Sequence, residues 1–396
     1  MKIFRIIARL NVGGPARHVV WLTKYLPETI LVTGTVPEGE EDMSYFADEN
    51  GIEPIFIPEM SRELSPKDAI SLLKVFRQMW KQKPDIIHTH TAKAGTVGRI
   101  AGLLYKLLSF RKVKIIHTFH GHVFHSYYGK RKTQVFLLIE KTLARFATDK
   151  IITISEQQRK EICEGFKVGK SQQFTVIPLG IDLEKFSKVD EKRNILRDEL
   201  GVKSDEILVG LVGRLTEIKN ISMFLKVAKI IKENPSETKF KFVIIGDGNV
   251  GESLREEAKS LNLEDFVIFT GNRNDADIFY AGLDIVGLTS LNEGTPLSLI
   301  EAMANGKSVI STEVGGVVDL LGKVEKEENG YKICERGISV KSNDAENFAK
   351  GLTFLTENTK LREKFSKDSK LFVNNCYSKE RLITDIGNLY KNLLNS

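Results

Sequence analysis

Twice along this chain short apolar strands alternate with amphipathic helices, and that alternation leaves few folds open. KIFRIIA, TILVTGTV, IEPIFIP, DIIHTH, VKIIHTFH, DKIITIS and FTVIPLGI read as strands, and the first is followed by Gly13-Gly14-Pro15 leading into a helix. From Asp182 to Asp205 the sequence is charged and helical with no strand pattern. A second alternation then runs through EILVGLVGRL, KFVIIGDG, FVIFTG, DIVGLTS and SVIST into a C-terminal region read as helical. Such alternation predicts open, mostly parallel sheets covered on both faces by helices, here an α/β chain of two doubly wound domains. A length of 396 residues suits two cores better than one, and the expected division is 1–180 and 181–377. Ligands of these sheets bind at the carboxyl ends of the strands, so a cleft between the two domains is the expected substrate site.

The stretch Thr289 to Gly316, TSLNEGTPLSLIEAMANGKSVISTEVGG, carries the most chemistry. Thr295 reads as an N-cap, Pro296 as the first helical residue and Gly306 as the helix end. Glu293 then lies in the loop before the helix and Glu301 one to two turns inside it. The unpaired amides of Gly294 to Leu297, with the positive end of the helix dipole, form an anion site. Carboxylates on either side would repel a bare phosphate. They suit a phosphate with hydroxyl-rich groups at both ends, because an ionised carboxylate is purely an acceptor. On the same strand edge, Arg214 and Lys219 in GRLTEIKN read either as solvated cations or as a clamp for a diphosphate, and the shared edge favours the clamp.

Other features are weaker or exclude functions. The three cysteines, Cys163, Cys334 and Cys376, are far apart, which argues against a disulfide framework or zinc module and fits a reducing, cytoplasmic setting. The N-terminal apolar run is interrupted by Arg5 and Arg9, so it reads as a buried first strand and not as a signal peptide. Residues 1–180 carry 27 Lys/Arg against 17 Asp/Glu, and none of the acidic residues lies between Asp85 and Glu140, so this half faces something anionic. Six of the seven histidines fall between His88 and His125. With no cysteine or carboxylate in HTFHGHVFH a metal is not expected; His117 reads as an interior residue, and His120 at the strand end as an active-site candidate. Gly13-Gly14 is either a tight turn or a close approach to phosphate. GDGNVG, Gly246 to Gly251, matches GxGxxG but follows the second strand of its half and lacks the acid expected on the next strand end, so a dinucleotide site is disfavoured.

Taken in order, VGGPARHV, IIHTFHGH, TISEQQR, VIPLGID, VGRLTEIKN, GDG and EGTPLSLIEAMA resemble a retaining GT-B glycosyltransferase of glycosyltransferase family 4, over nearly the whole chain. The most specific mark is the EX7E spacing from Glu293 to Glu301. The resemblance implies two Rossmann-like domains, with the last helix (378–396) crossing back onto the first, acceptor-binding one. It implies a nucleotide diphosphate sugar held mainly by the second domain, with uracil the expected base. Arg214 and Lys219 would bind the diphosphate, Glu293 the hexose hydroxyls, the stretch Gly294, Thr295, Pro296 and Leu297 would lie near the sugar and phosphate, and Glu301 would hold the ribose. Arg273 would border the base, His120 would stand beside the sugar, and Gly13 and Gly14 would approach the phosphate. No metal or other cofactor is implied. Leu179 stands where Asn is frequent, and EGTP replaces the frequent EGFG, which loosens any inference about the hexose.

The expected acceptor is a hydroxyl of a glycan, lipid-linked sugar or polysaccharide; nucleic acid is not an expected partner. GLLYKLLSFRKVK, basic and partly apolar, suits peripheral contact with anionic lipid at an inner membrane face, and equally a core-facing helix with a solvated loop. The alternatives are a sugar-nucleotide epimerase, another enzyme on the same architecture such as a phosphorylase, or a non-catalytic nucleotide-sugar-binding protein.

Overall fold

The computed structural model describes residues 1–11, 13–37, 42–60, 67–121, 130–186 and 189–395, with the side chains of 130–132 left aside. His122 and His125 lie outside the described residues. The chain divides into two compact units: Met1–Gly180 with Lys379–Ser396, and Ile181–Ser378.

The first unit is built on a seven-stranded parallel sheet, in the order β3-β2-β1-β4-β5-β6-β7. The strands are β1 (Ile3–Ile7), β2 (Thr29–Thr33), β3 (Ile55–Phe56), β4 (Ile86–His90), β5 (Lys114–Phe119), β6 (Lys150–Thr153) and β7 (Phe174–Val176). IEPIFIP contributes only two residues to β3. Pro54 and Pro58 bracket them and cannot donate to the ladder, which confines this strand to the sheet edge. Between β1 and β4 the strand order turns back on itself, which is where a doubly wound sheet opens a crevice at its carboxyl edge. The final helix, Lys379–Asn395, buries Leu382, Ile386 and Tyr390 against Ile3, Leu22, Ile86 and Ile116. Each such side chain contributes about 1.5–3 kcal/mol by leaving water. Arg381 fixes the start of this helix by donating to the carbonyls of Pro178 (2.7 Å) and Leu179 (2.6 Å).

The second unit carries an eight-stranded sheet, β10-β9-β8-β11-β12-β15-β14-β13. Its strands are β8 (Glu206–Val212), β9 (Lys239–Ile245), β10 (Val267–Gly271), β11 (Ile285–Leu288), β12 (Ser308–Thr312), β13 (Val324–Glu327), β14 (Tyr331–Cys334) and β15 (Gly337–Val340). The region after Gly316, expected to be helical, instead returns three strands to the sheet before its helices Ala345–Glu357 and Thr359–Tyr377. β15 runs parallel to β12, while β14 and β13 add antiparallel. The outermost strand reads VEKE and is exposed throughout, so alternating charge guards the open edge. Here the order reverses between β8 and β11.

Candidate active site

In the second unit three loops are tied together at the carboxyl ends of β8, β11 and β12. The loop after β8 ends in a single turn, Glu217–Lys219. It is joined to the loop after β11 by the Leu291 amide donating to the Ile218 carbonyl (2.8 Å) and the Thr289 hydroxyl donating to the Lys219 carbonyl (3.1 Å). Thr312, at the end of β12, donates to the Ser290 carbonyl (2.6 Å). Within this frame Lys219 Nζ and Ser290 Oγ both donate to Glu293 Oε1 at 2.6 Å, which leaves Oε2 to accept from another group. Lys219 and Glu293 keep 19% and 11% of their side-chain surface, enough for a ligand to reach them.

The helix behind this pair runs Leu297–Ala304, and its N-cap is Pro296, not Thr295. The Thr295 hydroxyl is buried and has no hydrogen-bond partner among the described residues, so it does not cap the helix. The turn is held instead by the Gly316 amide, which donates to the Gly294 carbonyl at 2.8 Å. That approach needs glycine: a Cβ on Gly316 would lie 1.9 Å from the Gly294 oxygen. The helix begins just after Glu293, to which Lys219 donates, so its N-terminus stands at the strand edge where an anion site would be placed.

The remaining donor candidates are more dispersed. Arg214 is exposed just beyond β8, and Glu301 is half-buried in the second turn of the helix. Arg273, beyond β10, forks onto Asp275 (2.9 and 2.6 Å) and reaches Glu199 (2.5 Å), so its guanidinium is engaged inside the unit. Those bonds raise its pKa above the ordinary arginine value, the Asp275 bond most. The glycines of GDGNVG have a packing role: a Cβ on Gly246 would lie 2.1 Å from the Gly213 carbonyl oxygen, and one on Gly248 2.2 Å from that of Leu215. They let this loop lie against the loop that carries Arg214 and Lys219.

In the first unit Gly13 caps the helix Gly14–Tyr25, and His18 lies one turn on from Gly14. His18 meets His90, at the end of β4, and His120, just beyond β5, with ring centroids 5.6 and 4.9 Å away. His90 Nδ1 and His120 Nε2 are 2.9 Å apart. Both nitrogens of His18, Nε2 of His90 and Nδ1 of His120 are buried with no hydrogen-bond partner among the described residues. The three rings could each offer one nitrogen to a metal, all within 4.8 Å, although none of the three is a carboxylate or thiolate and Arg5 adds positive charge nearby. Burial keeps these imidazoles neutral, lowering His120 to about 3 and His18 and His90 well below the ordinary value. His117, by contrast, is an interior residue, with Nδ1 2.9 Å from the Thr89 hydroxyl. Below the cluster, Tyr390 of the last helix places its hydroxyl 2.5 Å from His88 Nδ1 and accepts from Arg5 at 3.0 Å.

Two family models match the chain: Glycosyltransferase Family 4 over residues 12–185 and Glycosyl transferases group 1 over residues 192–372. The UDP-Gal:alpha-D-GlcNAc-diphosphoundecaprenol alpha-1,3-galactosyltransferase of Escherichia coli is 31% identical over 344 residues, covering 86% of this chain and 84% of its own length. The chain belongs to glycosyltransferase family 4. It is therefore a glycosyltransferase, which sets aside the epimerase, phosphorylase and non-catalytic readings. The family includes a capsular polysaccharide biosynthesis glycosyltransferase, CapM, of Staphylococcus aureus, 29% identical over 83% of this chain and 82% of its own. The GT-B fold is shared with Anabaena HepE (TM-score 0.80, 20% identity, 99% and 100% coverage) and with sucrose-phosphate synthase from Thermosynechococcus elongatus (TM-score 0.77, 20% identity, full coverage of both). The contacts of His18, His90 and Tyr390 with His120 and His88 were not legible in the sequence. His18 and Tyr390 carried one weak signal each, a histidine one helical turn after Gly14 and an aromatic in the apolar stripe of the last helix.

Proposed function

We propose that the protein moves a hexose or N-acetylhexosamine, with retention at the anomeric carbon, from a UDP-sugar to a hydroxyl of a lipid-linked sugar at a membrane surface. The observation that carries the donor half is the Lys219–Glu293 pair beside the N-terminus of Leu297–Ala304. One group neutralises a phosphate, the other accepts sugar hydroxyls, and the helix amides complete a diphosphate cradle. Arg214 and Lys219 stabilise the departing UDP, Glu293 orients the hexose through Oε2, and Glu301 takes the ribose. His120 hydrogen-bonds the sugar in transit, and a donor phosphate oxygen takes the acceptor proton as that hydroxyl attacks from the leaving-group face. The E. coli relative, whose name gives a UDP-sugar donor and a diphosphoundecaprenol acceptor, supports both halves.

The membrane half rests on the outer face of helix Ala92–Ser109 and its neighbour Lys130–Phe146. Leu107, Leu108, Phe110, Leu138 and Phe146 are exposed there, Phe110 at 94%, among Lys106, Arg111, Lys112, Lys141 and Arg145. Lys106 and Arg111 also pair with Asp149 (3.2 Å) and Asp85 (3.5 Å), and the apolar side chains with the remaining cations match a surface of anionic lipid. Among the described residues no helix is long and apolar enough to cross a membrane. Sedimentation with vesicles tests this: binding to phosphatidylglycerol vesicles and not to phosphatidylcholine, lost in Phe110→Glu, is expected, and equal binding to both or to neither refutes it. A melting-temperature screen of UDP-, GDP- and ADP-sugars tests the donor, because only a ligand of the native state raises the midpoint. A rise with UDP-sugars that disappears in Lys219→Ala is expected, and a response confined to GDP- or ADP-sugars refutes uracil as the base.

A further inference from the structure

We propose that His90 is a positioning residue for the transfer reaction, holding the proton that decides whether His120 offers a hydrogen-bond donor or an acceptor. This rests on the reading of His120 as a group that touches the donor sugar. The two rings meet through His90 Nδ1 and His120 Nε2 at 2.9 Å. Two neutral imidazoles can meet in this way only if one nitrogen carries a hydrogen and the other does not. If His90 Nδ1 holds it, His120 is protonated on Nδ1 and presents a donor there; if His120 Nε2 holds it, Nδ1 presents a lone pair. Nδ1 is the one ring nitrogen of His120 that makes no bond to the described residues; it is buried beside His18, so its hydrogen or lone pair stays unanswered until the surroundings open to admit substrate.

The surroundings of His90 are built to hold one orientation. Its ring lies against His88, centroids 4.1 Å apart, and His88 is locked between the Tyr390 hydroxyl and the Thr118 hydroxyl, at 2.5 and 2.7 Å. The next residue, Thr91, sits at φ 66°, ψ 157°, a region that a β-branched side chain avoids. That backbone turns the chain sharply from β4 into helix Ala92–Ser109. Strain kept at a strand end, directly after the residue in contact with His120, marks a position held for function.

Long-range ¹H–¹⁵N spectra of the full-length protein labelled at histidine, assigned with single His→Gln variants, read the tautomer of His120 directly. The wild type is expected to show one tautomer at His120. His90→Phe is expected to show both, with kcat lower by on the order of tenfold to a hundredfold, as when a partner orienting a working histidine is removed, and KM for the nucleotide sugar changed much less. His90→Asn, whose carboxamide reaches the position of Nδ1 and can donate or accept there, is expected to recover most of the turnover. Mixed tautomers in the wild type overturn the proposal without any variant, and so does an unaltered single tautomer or unaltered kcat in His90→Phe. Full turnover in His120→Ala instead overturns the underlying reading of His120, and the wild-type spectrum tells the two failures apart.

Discussion

Gly316→Ala tests whether the loop after β12 shapes the donor site. The added Cβ would lie 1.9 Å from the Gly294 carbonyl oxygen, against an ordinary carbon–oxygen contact of about 3.3 Å. One side must therefore move by more than about 1 Å. The Gly316 amide donates to that same oxygen at 2.8 Å, so the shift also breaks the bond holding the turn. The lost hydrogen bond costs about 1 kcal/mol and the overpacking about 1–3 kcal/mol more. For a unit of this size, a loss of ~2 kcal/mol lowers the melting temperature by about 4–8 °C. The moving carbonyl lies one residue from Glu293 and two from Pro296, where a displacement of ~1 Å misplaces groups proposed to meet substrate and is expected to lower kcat by ~10²-fold. Steady-state transfer kinetics together with thermal unfolding measure both effects. Gly165→Ala is the control, because a Cβ there meets nothing within 4 Å, and it is expected to leave turnover unchanged. If Gly316→Ala keeps kcat/KM within about threefold of wild type, the inference that this contact positions the donor loop is wrong.

Tyr390→Phe removes the hydroxyl shared by Arg5 and His88 and leaves two buried polar groups incomplete, at an expected cost of about 1–3 kcal/mol in thermal or urea unfolding; a change within about 0.3 kcal/mol would mean the network does not anchor the last helix. Stability should also fall on mild acidification. His18, His88, His90 and His117 have folded pKa values well below the ordinary 6.5, mainly through burial, so the unfolded chain binds the protons and stability is lost as pH falls through about 6.5 towards the folded values. Each contributes up to about 1.4 kcal/mol per pH unit in that window, and a melting temperature that stays level between about pH 7 and 5.5 would contradict it.

What could be read from the sequence was what is local in it. Strand and helix periodicity exposed the doubly wound fold because each repeat spans only a few residues. The short helix within Glu293–Gly306 was legible for the same reason, since a proline and a glycine bracket it. The end of that helix was read from Gly306, whose φ of 67° follows the last helical residues. Its start was misread because Thr295 has N-cap chemistry, whereas the true constraint comes from Gly316 across the next strand. The same limit hid the β13–β14–β15 additions, which are short and gain their place only by pairing in turn, β15 with β12, β14 with β15 and β13 with β14. It also hid the distant partner of Arg273, Glu199, which comes from a helix 74 residues away.

The two units also show how one topology supports different chemistry. Each sheet reverses its order at one strand pair, β1/β4 in the first unit and β8/β11 in the second, and the polar side chains gather at the carboxyl ends of those strands. In the second unit the strand ends carry a lysine and a carboxylate joined at 2.6 Å, a pair that can hold an anion and hydroxyls together. In the first they carry histidines packed against one another and held neutral by burial, so charge cannot be their means of recognition. What such a cluster can control is the direction of a hydrogen bond. That difference is why substitutions at Lys219 should act on donor affinity as well as on turnover, and why substitutions at His90 should act on turnover while leaving donor affinity nearly unchanged.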